Sequence, residues 1–325
     1  MNRAAAHAGT WYSDQESRLN KELSKWLGKV PETTEDNIPY PVQGARAIIA
    51  PHAGYLHSGP AAAFAYKCID PQVVKRVFIL GPSHHVYLPG CALSKCTEYE
   101  TPLGNLTLDL DVINELGSTG HFTDMSLDDD EAEHSIEMHL PYTYKILESK
   151  IDSIKIVPIL VGALSTSKEV LYGKLLAPYL ENPENLFIIS SDFCHWGQRF
   201  SYTYYSPSPD KIVNLSYKST TPLTVPIHES IEKLDKEGMA IIERISHRQF
   251  TEYLGRTKNT ICGRHPISVL LCALEVLTAG IENGFERPRI RFVHYAQSGK
   301  VVNERDSSVS YASAYVYIPD TNGKS

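Results

Sequence analysis

Four short polar clusters in this 325-residue chain hold residue types that bind transition metals or move protons. They are Pro51-His52-Ala53-Gly54-Tyr55, Gly81-Pro82-Ser83-His84-His85, Ser191-Asp192-Phe193-Cys194-His195-Trp196 and Thr260-Ile261-Cys262-Gly263-Arg264-His265. Neutral imidazoles and a thiolate suit a borderline or soft transition metal, whereas carboxylate cages suit Mg²⁺ or Ca²⁺. Cys262 lies just before an expected helix start at Pro266. A positive helix end, with Arg264 and His265 nearby, predicts a lowered thiol pKa. Asp192 and His195 follow one strand closely enough to share a pocket, one as acid/base and the other as its orienter. Each group also has a plainer reading. A lone strand-end histidine is more often a cap or core residue, and a lone cysteine more often a buried thiol. Cys194, in apolar and aromatic company, reads as core, and His85 as the outward neighbour of His84.

Three of the clusters directly follow strand-like apolar runs: Ala45–Ala50, Arg76–Leu80 and Leu186–Ser190. Further runs are Ile154–Val161, Arg289–Tyr295 and Val309–Ile318. Such near-continuous β-branched stretches fit strands buried on both faces. In open α/β sheets ligand sites gather at the carboxyl ends of strands, so independent strands can bring His52, His84 and His195 into one crevice. Helices are expected between the strands, over Pro60–Lys67, Glu133–Glu148, Lys168–Leu180, Glu229–Ile245 and Pro266–Thr278. Another should open at Ser13-Asp-Gln-Glu16, a capping-box pattern, with Leu19, Leu23, Trp26 and Leu27 as its apolar stripe. Loops are expected at 28–44 and 206–226. The alternation predicts one layered α/β sandwich over 1–325, with a mostly parallel or mixed central sheet.

Other stretches carry less. His134 and His139 are five apart, off a shared helix face, so they are not a helical zinc pair; His134 could reach a crevice only by itself. The acidic run Asp128–Glu131 fits a solvated loop or helix entry. Phe200–Tyr205 reads as a β edge or pocket rim.

The formal charge of −7 argues against a general nucleic-acid binder. No apolar run approaches a membrane span, since Ile267–Leu277 is broken by Glu275. The N-terminal residues lack the apolar core of a secretion signal. Six cysteines without a CxxC pair fit free thiols in a reducing compartment. An intracellular, soluble protein is expected.

The strings HAGTWY (7–12), APHAGY (50–55), LGPSHH (80–85), EHSIEMHLPY (133–142), SSDFCHWGQRF (190–200) and ICGRHP (261–266) together resemble the Memo family, the mediators of ErbB2-driven cell motility. The resemblance runs from about His7 to Ala314. It implies a fold like that of class III non-haem iron extradiol dioxygenases. It also implies iron or copper held by His52, His84 and Cys262, with His195 as the acid/base histidine and Asp192 beside it. Those dioxygenases have a carboxylate where this chain has Cys262, which puts ring cleavage in doubt. Family members are also described as adaptors whose crevice takes a phosphotyrosine peptide. Trp11 would then sit at the rim, with His57 close by. Leu56-His57 replaces the animal Thr-Tyr, and 206–226 reads as an insertion, which suggests a fungal-type member.

Three functions are therefore weighed. The first is a metal-binding redox protein of cell motility, invasive growth and oxidant signalling, in the cytoplasm with the nucleus as a second compartment. The second is a non-catalytic adaptor for a (phospho)peptide of a signalling protein. The third, ranked last, is a thiol hydrolase using Cys262 with His195 or His265.

Overall fold

A computed structural model describes residues 1–208, 211–219, 222–281 and 287–319. In chain order the first half runs β1 (Asn2–Arg3), α1 (Glu16–Leu27), β2 (Ala45–Ala50), α2 (Tyr55–Lys67), β3 (Arg76–Pro82), β4 (Cys91–Leu93), β5 (Glu98–Tyr99), β6 (Leu106–Leu108), α3 (Leu110–Ser118), β7 (Phe122–Asp124), α4 (Leu127–Ala132), α5 (His134–Glu137) and α6 (Leu140–Leu147). It continues β8 (Lys155–Val161), α7 (Thr166–Glu181), β9 (Asn185–Ser190), β10 (His195–Trp196), β11 (Tyr204–Ser208), β12 (Lys211–Asn214), α8 (Ile227–Glu243), α9 (His247–Thr257), α10 (Arg264–Thr278), β13 (Arg289–Gln297) and β14 (Ser308–Tyr317).

Twelve strands form one mixed sheet in the order β1-β5-β6-β8-β3-β9-β2-β14-β10, with β13 on β14, β4 on β8 and β7 on β4. Its centre, β6-β8-β3-β9-β2, is parallel throughout. Of those strands β8, β3, β9 and β2 are buried almost end to end, which is why their sequences carry no polar alternation. Alternation along β3 shows that helices cover both faces. Phe78 packs on Tyr179 of α7, while Gly81, of opposite parity, faces Ser135 and Ile136 of α5. A β-carbon on Gly81 would sit 2.5 Å from Ser135 Oγ, so the glycine lets α5 rest on the strand end. The expected layered α/β sandwich is what the chain builds.

Several boundaries differ from expectation. α1 has Gln15 at its N-cap with no side-chain capping bond; Ser13 Oγ instead accepts from the Gln15 N–H, so the capping box does not form. α2 starts five residues before Pro60. That proline forfeits only a bond to the carbonyl of Leu56, on the exposed first turn. The single helix expected over Glu133–Glu148 is two, because Glu133 caps α5 and Pro141 opens α6. The stretch 206–226 is not structureless: β11 and β12 pair as an antiparallel hairpin, with Tyr205 and Leu215 buried. Its positions 209–210 and 220–221 lie outside the described residues.

Candidate metal centre

The parallel core strands end together, and their last residues set the crevice. His52 follows β2, His84 follows β3, and Asp192 and His195 follow β9. Cys262 arrives from the α9–α10 loop. Gly263 permits this approach, since a β-carbon there would lie 2.3 Å from the Ser190 carbonyl oxygen. The Gly263 N–H donates to Ser191 Oγ and the Asp192 N–H to Cys262 Sγ, which ties the loop to the strand end. One ligand atom each from His52, His84 and Cys262 lies within 4.8 Å of the others. His52 Nε2 and Cys262 Sγ are 3.1 Å apart.

The imidazoles have defined tautomers. Ser190 Oγ donates to the Ser135 carbonyl, so it accepts from His52 Nδ1–H at 2.6 Å. Glu133 accepts from His84 Nδ1–H at 2.8 Å and from the His84 backbone N–H at 2.7 Å. The Thr260 carbonyl accepts from His195 Nδ1–H at 3.0 Å. Each acceptor leaves the lone pair on Nε2, which at His52 faces the Cys262 thiol; this arrangement orients metal-binding histidines.

Burial keeps His52 and the Cys262 thiol neutral. It lowers His52 well below its ordinary range, with the other crevice histidines adding to the shift. Burial pushes Glu133 up, but the hydrogen bonds from His84 and Ser135 outweigh it and hold the carboxylate low. The lowered thiol pKa expected for Cys262 is not found. Burial, and then the Asp192 charge, raise it well above the ordinary range, despite the Asp192 and Gly263 N–H groups. Arg264 is exposed and points its Nε at His265, while His265 Nδ1 is bonded to Glu169. The side chains expected to stabilise a thiolate thus point away from Cys262.

Asp192 is buried, and its Oδ1 accepts from the backbone N–H of His52 at 2.9 Å. Its position is that of an orienter of the His52 turn. His195 lies against Phe200 at 5.3 Å, whereas Tyr202, Thr203, Tyr204 and Tyr205 are buried, so of the expected rim segment Phe200 alone is placed beside His195. Trp11 is 36% exposed and lies 4.4 Å from His134, at the crevice edge. His57 faces solvent on the first turn of α2. Among the described residues neither His195 nor His265 is bonded to the Cys262 thiol; its imidazole partner is His52.

His134, which the sequence allows to reach a crevice by itself, lies there, and His7 joins it without a sequence signal of its own. His134 stacks on His84 at 4.4 Å and, with His84 and Glu133, forms a second ligand-type group. His7 Nδ1 donates to Glu137 at 2.8 Å and its ring lies 6.0 Å from His134. The N-terminal segment is pinned there by Arg3, buried between Asp130 and Glu137. His139, by contrast, is buried against Tyr66 and brought down to about 3 by that burial.

The family model described as "Memo-like protein" matches residues 3–315. Protein MEMO1 of Homo sapiens is 51% identical over 317 residues, covering 97% of each chain. Protein MEMO1 of Danio rerio is 52% identical with the same coverage. The Protein memo-1 homolog of Caenorhabditis elegans is 45% identical, over 97% of this chain and 83% of its own.

Proposed function

The chain belongs to the Memo family, and on that footing we propose that its crevice is a metal centre in which His52, His84 and Cys262 hold iron or copper for redox chemistry. One observation carries the reading: three donor atoms from separate chain segments converge within 4.8 Å, and both imidazoles are fixed with the lone pair on Nε2, that of His52 facing the Cys262 thiol. The donor set fits. Two neutral nitrogens and a sulfur suit Cu(I) and also bind iron, whereas Fe(II) oxygenases use two histidines and a carboxylate. A thiol in the third place therefore argues against ring cleavage. When bound, either ion would supply one-electron exchange. The protein's part is to release the Cys262 proton on metal uptake and to hold or accept a proton at His195 Nε2. Asp192 keeps the His52 turn in place. Among the described residues no helix is long and apolar enough to cross a membrane. We place this activity in cell motility, invasive growth and oxidant signalling, in cytoplasm and nucleus.

Elemental analysis of protein purified without added metal, with anaerobic Fe(II) and Cu(I) titrations, tests this reading. One ion per chain and release of about one proton are expected. Absence of stoichiometric binding by either ion would overturn it.

A second reading is favoured by Trp11, whose exposed ring at the crevice edge offers a surface for a (phospho)peptide side chain. A phosphotyrosine peptide should then bind the wild type and lose affinity for Trp11→Ala. Equal binding by both proteins would discard it.

A further inference from the structure

A cavity of about 350 Å³ opens between α7, α9 and α10, outside the crevice. Its polar lining includes Glu169, His265, Lys258 and Arg264, with the neutral side chains of Thr166, Thr251, Asn259 and Ser268. Glu169 is buried and already engaged at both oxygens. His247 Nε2 lies 2.7 Å from one and His265 Nδ1 2.7 Å from the other. The Glu169 hydrogen bond raises the pKa of His247, which favours a neutral ion pair there. Lys258 and Arg264 are exposed at the opening, and among the described residues neither forms an ion pair with a carboxylate. A lining with two cations lacking a carboxylate partner, four neutral polar side chains and an already satisfied carboxylate has a net preference for negative charge. Its volume suits a small metabolite.

The position matters as much as the charge. Lys258 and Asn259 begin the loop between α9 and α10, and Arg264 and His265 follow its end. Within that loop Thr260 bonds both the backbone N–H and the ring of His195, and Cys262 faces His52. Both ends of the crevice loop therefore line the cavity.

We propose that this cavity binds a small organic anion bearing a phosphoryl or carboxylate group, and that its occupant braces the loop carrying Thr260 and Cys262. The inference stands apart from the metal reading, and its test uses metal-free protein. Inorganic phosphate and succinate are titrated separately at constant pH and ionic strength, while NMR follows the His247 and His265 rings and the Thr260–Gly263 amides. Saturable shifts in both sets are expected with at least one anion, and the stronger one identifies the preferred headgroup. Lys258→Gln combined with Arg264→Gln, both exposed and so compatible with folding, should weaken that binding at least about tenfold. Arg289→Gln, on a different element, should leave it unchanged. Shifts that never saturate with either anion, or an equal response in the double variant, would overturn the site. Saturation confined to the rings would overturn the bracing.

Discussion

Glu133 and Glu169 are both buried glutamates that serve histidines, yet only one belongs to a ligand cluster. Glu133 takes Nδ1–H and the backbone N–H of the same residue, His84, and turns that ring's other nitrogen toward His52 and Cys262. Glu169 stands between two rings, meeting His247 at Nε2 and His265 at Nδ1. Its histidines converge on the carboxylate rather than on a shared space. The carboxylate–histidine pair is thus no metal signature in itself. What counts is where the unused nitrogen points, and at Glu133 the doubled contact to one residue decides that.

The difference should be measurable. The largest effect is expected from Glu133→Gln, which removes the charge that holds the His84 tautomer. Competitive Cu(I) titration should show a loss of about 10–100-fold, the usual scale for a partner behind a ligand. Glu169→Gln should leave Cu(I) affinity at the wild-type value; a comparable loss there would erase the distinction.

Next comes the thiol. Cys262→Ser should weaken Cu(I) by at least about tenfold, or about 1.4 kcal/mol, because the hydroxyl stays protonated. The melting temperature of the metal-free protein should barely move. Cys272→Ser supplies the contrast. Its side chain packs in α10, where a β-carbon on Gly173 of α7 would come within 2.4 Å of it, so a new hydroxyl should cost about 1 kcal/mol of stability and spare the metal. Wild-type metal binding by both variants would remove Cys262 from the site.

The smallest effect lies in pH dependence at the other glutamate. The hydrogen bond to Glu169 raises His247 above 6.5, so its stabilisation is complete below 6.5 and fades as pH rises through the raised value. Burial pushes Glu169 up, but bonds from His247 and His265 outweigh it and bring it below 4.5; its stabilisation holds above 4.5 and fades in acid. Between those values the cluster stabilises most. The melting-temperature gap between wild type and Glu169→Gln should peak there and narrow on either side. A flat gap would mean that the two rings are only packed, not ion-paired.

The features legible in sequence were those written as local runs. Parallel strands buried on both faces leave uninterrupted β-branched stretches, so Ala45–Ala50, Arg76–Leu80 and Leu186–Ser190 announced the sheet and placed His52, His84 and His195 at its ends. Helices α3 and α9 went unread, although Asp109 and Ser246 accept capping bonds at their starts and each helix carries a buried stripe, Val112, Ile113 and Leu116 in one and Phe250, Tyr253 and Thr257 in the other. Glu133, Ser190 and Thr260 could not be assigned, because their roles exist only through space. Cys262 was misjudged for a similar reason. Chain neighbours Arg264 and His265 suggested a cationic setting, but their side chains turn to Glu169 and solvent, leaving burial and Asp192 to dominate.

His52 and Cys262 touch across 210 residues of chain. At a synthesis rate of about 5–20 residues per second, the cysteine leaves the ribosome about 10–40 s after the histidine. Arg3 likewise waits 134 residues for Glu137 before the segment carrying His7 and Trp11 can seat. No nascent fragment that ends before Cys262 contains a complete donor set. Charging the crevice is therefore an event in the life of a finished chain, answerable to whatever supplies the folded protein rather than to translation.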